Sequence, residues 1–188
     1  MTSSAALPAP RSGLLGSWDR LVGPGMPRDE NLLVIGSGIF GAVFAAWALA
    51  AQGASIWLII LGMIIALDVI GGAVCNVTET TKRWYHRPGM PIAQQASFVA
   101  LHVLHISIVA WAFRGEGFDV PYALTLSACL LIAMASVLAT PRRLKLPVAI
   151  IFYLVAIGLV LCWLGATPGL EWFVPVLFTK LMIGHLVP

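Results

Sequence analysis

The sequence predicts an all-α integral membrane protein whose main part is a bundle of six transmembrane helices. Hydrophobic residues make up 60% of the 188 residues and charged residues only 10%, whereas an average soluble domain is about 25% charged. A helix needs about 20 apolar residues to cross the hydrocarbon core of a bilayer. Six apolar runs near this length use up most of the chain: 31–53, 54–77, 92–113, 120–140, 146–165 and 172–187.

The basic residues predict which ends of these spans face the cytoplasm, because Lys and Arg are retained in cytoplasmic loops more often than elsewhere. Of the eleven Lys and Arg residues, only Arg114 falls on the opposite side and Lys180 inside a span. Both termini are therefore expected to be cytoplasmic, in a membrane of the bacterial inner or plasma type. The net charge of +3 follows from this topology and requires no nucleic-acid partner. The nine residues on the inner side are Arg11, Arg20, Arg28, Lys82, Arg83, Arg87, Arg142, Arg143 and Lys145.

The chain before the first span divides into a tail and a helix. Residues 1–10 are polar and interrupted by proline, which predicts a disordered tail. Residues 11–30 carry Leu14, Trp18 and Leu21 at helical spacing, which predicts an amphipathic interfacial helix and a Gly- and Pro-rich linker. A helix packed under the cytoplasmic end of the bundle is the alternative. Residues 31–188 then form the transmembrane domain, and we expect no cleavable signal peptide.

The first span contains the spacing Gly36-x-Gly38-x-x-Gly41, which in soluble enzymes binds a dinucleotide pyrophosphate. That function needs a preceding strand and a helix start that solvent can reach. These glycines instead lie inside an apolar run. Ser37, Gly41 and Ala45, with Gly38 and Ala42 beside them, form rows of small residues at four-residue spacing, a pattern that lets helices approach closely in lipid. We therefore expect helix packing here and no nucleotide site.

The stretch 67–89 carries the densest set of polar residues in the predicted membrane region. On a regular helix, Asp68, Asn76 and Glu79 share one face with Gly72 and Cys75. Ionisable residues inside a span are costly to insert, and they are functional candidates for that reason. Ordinary interfacial anchoring is the alternative for the aromatic residues that follow. The stripe leads into a basic and aromatic segment suited to lipid headgroup phosphates, formed by Lys82, Arg83, Trp84, Tyr85 and His86.

The third span adds His102 and His105, which lie one helical turn apart. Counted from the cytoplasmic ends of their spans, Asp68 lies roughly 14 Å deep, His102 roughly 12 Å and His105 roughly 17 Å. The three side chains are therefore expected at a common depth. The sixth span adds Lys180 and His185, about 140° apart on a regular helix and so not bound to serve one site.

Three interpretations fit this set of residues. Asp68 and a histidine can form an acid–base pair in a dry site, with Asn76 and Glu79 as orienting groups. His102 and His105 can instead chelate a metal ion together with Asp68 or Glu79. In the third interpretation, Asp68 bonds to a histidine or to Lys180 only because lipid offers polar groups no partner. The pattern identifies no cofactor, and both the small number of histidines and their position on one helix argue against a di-iron or haem centre.

The leading functional hypothesis is a multi-pass membrane enzyme that acts on a lipid or isoprenoid-like substrate by intramembrane acid–base chemistry. Its substrate would enter from the cytoplasmic leaflet, because the polar stripe begins there and ends at mid-depth. One alternative is a small-solute or proton-coupled transporter, in which Asp68, the histidines and Lys180 form a relay. Another is a non-catalytic subunit of a larger membrane complex. The expected partner is a membrane lipid or a lipophilic small molecule, and glycine-rich helix faces suggest a homo-oligomer.

Overall fold

A computed structural model describes residues 8–188, and within this part of the chain the fold is helical with no strand. Residues 1–7, most of the expected tail, lie outside the described residues. Five helices or helix pairs are long and apolar enough to cross a membrane. They are α2 (Arg28–Ala51), α3 (Ile56–Cys75), α5 (Ile92–Leu101) with α6 (Val103–Ala112), α7 (Val120–Ala139), and α8 (Lys145–Leu159) with its π-helical extension Val160–Leu164.

The last helix differs from the expected sixth span. It consists of α9 (Phe173–Phe178) and a π-helix (Thr179–His185), and it is shorter than the about 20 residues that a crossing needs. It is the most enclosed helix of the fold, because Phe173, Phe178 and Met182 are fully buried among residues of the other helices. Lys180 and His185 are buried on it as well. A helix with such residues is more stable inside the bundle than against lipid, since only the bundle supplies polar partners.

The glycines of the first span pack against α3, as expected from their spacing. A methyl group on Gly71 of α3 would lie only 3.1 Å from Cα of Gly38, and one on Gly41 would lie 2.8 Å from Cβ of Ile70. Gly36, by contrast, has no neighbour within 4 Å of its missing Cβ. The helix-packing interpretation is therefore confirmed. Because this face is used within the chain, the homo-oligomer is a prediction that must rest on other surfaces.

The outer surface of the long helices is apolar, which is the surface a bilayer requires. Large side chains that would be unfavourable in water point outward from every one of these helices. Four exposed tryptophans, Trp47, Trp57, Trp111 and Trp163, lie where the helices end at the side away from the N-terminus. Trp47, Trp57 and Trp111 do not line an internal cavity, and their location is typical of an interfacial aromatic belt.

The amphipathic helix α1 (Gly13–Val22) packs under one end of the bundle. Val22 is buried against Val34 of α2 and Cys75 of α3, while Leu14 and Leu15 remain exposed. Asp19 does not face solvent; it is buried and accepts two hydrogen bonds from the guanidinium of Arg11 at 2.6 and 2.9 Å. This ion pair lowers the pKa of Asp19 to about 2. The helix therefore combines both expected arrangements, with one face on the bundle and apolar side chains left free.

Candidate functional site

Three helices bring four ionisable side chains together at the centre of the described structure. Oδ2 of Asp68 on α3 lies 2.7 Å from Nζ of Lys180, 3.2 Å from Nε2 of His105 and 3.8 Å from Nε2 of His102. The common depth of Asp68, His102 and His105 in the sequence predicts that they meet, and the structure brings all three together. It adds Lys180 as the closest partner of the carboxylate. We call these four residues the Asp68 cluster.

The position of His102 follows from a break between α5 and α6. The backbone N–H of His102 bonds to the carbonyl of Val99 at 3.0 Å, one residue short of the regular α-helical partner Phe98. The carbonyl of Phe98 lies 2.8 Å from Nδ1 of the His102 ring. A carbonyl oxygen can only accept, so Nδ1 carries the hydrogen in the neutral ring and Nε2 presents a lone pair toward Asp68. The break thus sets both the orientation and the tautomer of His102.

Lys180 reaches Asp68 because two local features make room for it. A π-helix has hydrogen bonds between residues five apart, so Lys180 and His185 share a side of their helix. The expectation of 140° between them is wrong, because it assumed regular α-helical spacing. Gly72, the second feature, faces the lysine, and a methyl group there would lie 2.5 Å from Cε of Lys180. No sequence pattern predicts a π-helix. The position of Lys180 within the apolar run VLFTKLMIGHL does, however, indicate a candidate functional residue.

Asp68 and Lys180 of the cluster line a cavity of about 220 Å³ between α1, α2, α3, α5 and the last helix, with Phe98 as the lining residue of α5. The side chain of Asp68 is 47% exposed although it lies in an apolar helix. Ile35, Ile39 and Leu67 also line the cavity and are exposed on the outside of the bundle, so the cavity opens sideways between helices. Its polar lining consists mainly of Asp68, Cys75, Asn76 and Lys180. The arrangement is a mostly apolar chamber bordered by the half-exposed carboxylate of Asp68, which is paired with the buried Lys180.

The two predicted orienting groups behave differently. Asn76 is buried, lines the cavity and donates through Nδ2 to the carbonyl oxygen of Lys180 at 3.1 Å. Glu79 lies outside the cluster with a side chain that is 80% exposed, 3.9 Å from Nε of Arg83. The expected continuous stripe is wrong at this point, because α3 ends at Cys75 and Glu79 begins a separate helix, α4 (Glu79–Tyr85), capped by Thr78.

The segment expected to bind lipid headgroups makes many contacts within the chain. Nζ of Lys82 donates to the carbonyls of Ile183 and Val187, and burial lowers its pKa to about 8. The hydroxyl of Tyr85 donates to the carbonyl of Leu21 at 3.0 Å, and burial raises its pKa to about 12. Nε1 of Trp84 donates to the carbonyl of Arg20 at 3.1 Å.

Two further members of this segment differ in exposure. Nδ1 of His86 lies 3.5 Å from the side-chain nitrogen of Gln95, and burial lowers the pKa of His86 to about 4. Arg83 is the member with an exposed charge. Most of the segment therefore fastens α4 to α1 and to the end of the chain, and headgroup binding stays a prediction that rests chiefly on Arg83.

The cluster also bears on the metal and structural interpretations. Ligand atoms of Asp68, His102 and His105 all lie within 4.8 Å of one another, so these residues could hold a metal ion. A metal bound through Oδ2 of Asp68 would have to displace or repel the ammonium of Lys180 at 2.7 Å, which favours an acid–base arrangement. A purely structural cluster would pair every buried polar atom, yet Nδ1 of His105 is buried without a partner.

Comparisons of the chain with protein-family models, with curated proteins and with solved structures found no match. Function is therefore inferred from the geometry of the site alone.

Proposed function

We propose that this protein is a multi-pass membrane enzyme that acts on a lipid or isoprenoid-like substrate by acid–base chemistry at Asp68. The observation that carries the proposal is the sideways-opening apolar cavity bordered by the half-exposed carboxylate of Asp68, which is paired with the buried Lys180. An apolar chamber with a few convergent polar groups is the common form of a small-molecule site. A lipophilic molecule can enter such a chamber from a bilayer without passing through water.

The proposed topology has six crossings with both ends of the chain on the cytoplasmic side. The short last helix completes the sixth crossing inside the bundle. This topology is supported by the clustering of basic residues at the end where α1 packs and by the exposed tryptophans at the other end. The cavity is bordered by α1 at Leu21 and Val22, so the substrate would enter from the cytoplasmic leaflet.

In the proposed reaction, Asp68 is the catalytic residue that exchanges a proton with the substrate, because its half-exposed carboxylate borders the cavity. Lys180 also borders the cavity, and its ammonium would stabilise negative charge that develops on the substrate. His105 lies outside the cavity lining, 3.2 Å from Asp68, and would act through Asp68 as a positioning residue that also supplies or removes a proton. The chemistry needs no bound cofactor.

An enzyme is favoured over a transporter by what lies beyond the cluster. Toward the end of the bundle opposite α1, the interior is packed with apolar side chains, among them Ile65, Val109, Leu126, Phe173 and Leu177. A transport path requires polar groups that lead to both faces of the membrane. A cavity that opens sideways beside Asp68 suits a substrate that enters and leaves on the same side.

Solvent deuterium provides a test that does not require the substrate to be known in advance. Purified protein in vesicles of bacterial lipid extract with added polyprenols is incubated in D2O, and the lipids are then analysed by mass spectrometry. Acid–base chemistry at carbon exchanges substrate protons with solvent, so the substrate should gain one mass unit per deuteron. Asp68→Asn should lower the rate of incorporation by about a hundredfold or more.

A matched control is the same substitution at the opposite end of the bundle. Asp119 also pairs with a basic residue, Arg114, at 2.7 Å, so Asp119→Asn removes an ion pair without touching the cavity. It should leave incorporation unchanged. Folded wild-type protein that labels no lipid, or labelling that persists in Asp68→Asn, would contradict the proposal.

A further inference from the structure

The four histidines of the sequence form a single file from one end of the bundle to the Asp68 cluster. His86 lines a cavity of about 310 Å³ bordered by the exposed Arg142 and Pro188, at the end where the basic residues cluster. His86 and His185 line one narrow gap. The file continues past Phe98 to His102 and His105, and His105 contacts Asp68 at 3.2 Å.

The members of the file are stacked closely. The ring of His185 lies with its centroid 4.2 Å from that of Phe98, and the ring of His102 lies 5.1 Å from Phe98. The rings of His102 and His105 are nearly parallel, with centroids 4.9 Å apart. Phe98 therefore separates a lower pair, His86 and His185, from an upper pair, His102 and His105.

Unsatisfied ring nitrogens mark the same file. Among the described residues, Nε2 of His86, Nδ1 of His105 and both ring nitrogens of His185 are buried without a hydrogen-bond partner. Buried polar side-chain atoms are paired in the large majority of cases, with protein or with ordered water. The gap that His86 and His185 line has no room for a water molecule in this conformation, so these nitrogens gain partners only when side chains move and admit water.

We propose that the four histidines form a proton path that connects the cytoplasmic surface with Asp68, and that water enters between the rings when their side chains move. This proposal rests on the proposed acid–base function, because an enzyme that exchanges protons at Asp68 must renew them. The lining of the cavity is mostly apolar and includes the exposed Ile35, Ile39 and Leu67, so the histidines offer a separate and more polar route to Asp68. In each step an imidazole takes up a proton at one ring nitrogen and releases the proton from the other to the next water or ring.

Phe98 interrupts the path between the lower and the upper pair of histidines. Its ring carries no exchangeable proton and stands between His185 and His102. A proton passes from the lower to the upper pair when the ring moves aside and a water bridges the two imidazoles. A smaller side chain at this position should therefore speed the transfer, whereas removal of the His185 ring nitrogens should stop it.

The path can be tested without any substrate, by nuclear magnetic resonance of protein with 15N-labelled histidine in lipid nanodiscs. Four imidazoles give a spectrum that can be assigned by single substitutions. In the wild type, the ring N–H signals of His102 and His105 should show exchange cross-peaks with water. His185→Phe keeps the stack on Phe98 and removes both ring nitrogens, and it should abolish these cross-peaks while those of His86 persist. Phe98→Ala should strengthen the cross-peaks of His102 and His105.

Ser127→Ala is the control, because it removes a buried hydroxyl that also has no hydrogen-bond partner but lies away from the four histidines. The spectrum of this variant should match that of the wild type. If His185→Phe fails to fold, His86→Phe at the half-exposed entrance tests the same path, with the same expected loss. Cross-peaks of His102 and His105 that persist in the folded variant would overturn the proposal. This measurement involves no reaction, so its outcome is independent of the lipid-labelling experiment. Water exchange that depends on His185, without any labelled lipid, would contradict the proposed enzyme and support the path. Labelled lipid without a dependence of water exchange on His185 would support the enzyme and contradict the path.

Discussion

The ammonium of Lys180 lies 2.7 Å from a carboxylate oxygen of Asp68 and 3.2 Å from the backbone carbonyl of the same residue. This contact joins α3 to the last helix across 112 positions of sequence. Lys180 has only 3% of its side chain exposed, whereas Asp68 is about half exposed. The lysine therefore serves as the buried countercharge of a carboxylate that remains open to the cavity.

Removal of that countercharge should destabilise the fold. We expect Lys180→Met to lower the free energy of unfolding by about 2 kcal/mol, because it leaves the carboxylate without its closest cation. The double variant Asp68→Asn, Lys180→Met should recover part of this loss. Unfolding in mixed detergent micelles followed by circular dichroism measures the four free energies, of the wild type, Asp68→Asn, Lys180→Met and the double variant. Lys145→Met is the control at a less buried lysine, and additive effects of the two substitutions would show that the pair is not coupled.

The close approach of α2 and α3 predicts a contrast between two glycines of one motif. Gly41→Leu places a side chain against Ile70, where a Cβ already lies at 2.8 Å, and should cost about 1–3 kcal/mol of stability. Gly36→Leu is the same substitution on a face with no neighbour within 4 Å. It should leave the stability unchanged in the same unfolding assay. Equal effects would contradict the packing of these helices.

The buried position of His86 predicts a dependence of stability on pH. Burial lowers the pKa of His86 in the folded protein to about 4, from an ordinary 6.5. Between these values the unfolded chain binds a proton at His86 that the folded chain does not bind, so the free energy of unfolding falls as the pH falls from 6.5 to 4. His86→Gln should show a smaller fall. Above pH 7 the free energies of unfolding of wild type and variant should differ by a constant amount. If this difference also stays constant below pH 6, His86 does not contribute to the pH dependence of stability.

Arg114 should be essential for the end of the bundle opposite α1. Its guanidinium donates to Asp119 at 2.7 Å, to Thr167 at 2.9 Å and to the carbonyl of Leu164 at 2.6 Å, and it lies over the ring of Tyr122. Arg114→Gln loses these contacts, and we expect it to lower the midpoint of thermal unfolding measurably through a loss of about 1–3 kcal/mol. Arg143→Gln, at an exposed arginine, should leave the midpoint unchanged. A larger decrease of the unfolding midpoint in Arg143→Gln than in Arg114→Gln would contradict the structural role of Arg114.

The sequence alone predicted the helical class, the positions of five apolar spans and the packing role of the small residues around Gly38 and Gly41. These features depend on properties that add up along the chain, such as hydropathy over about 20 residues and the spacing of residues on a regular helix. The meeting of Asp68 with His102 and His105 also followed from regular spacing. Both apolar segments are long enough to cross a bilayer, so that counting 1.5 Å per residue gave comparable depths.

Tertiary structure decided the features that depend on which helices are neighbours and on where regular geometry fails. The last helix is short and enclosed, with Lys180 paired to Asp68 inside the bundle, and its π-helical turns brought Lys180 and His185 to one side. Glu79 left the polar stripe because α3 ends at Cys75. The choice of Lys180 as the partner of Asp68 joins residues far apart in the chain, and no local pattern contains it. Such pairings depend on which helices pack together. The packing energy is a sum over contacts between helices, and the sequence of one helix does not specify those contacts.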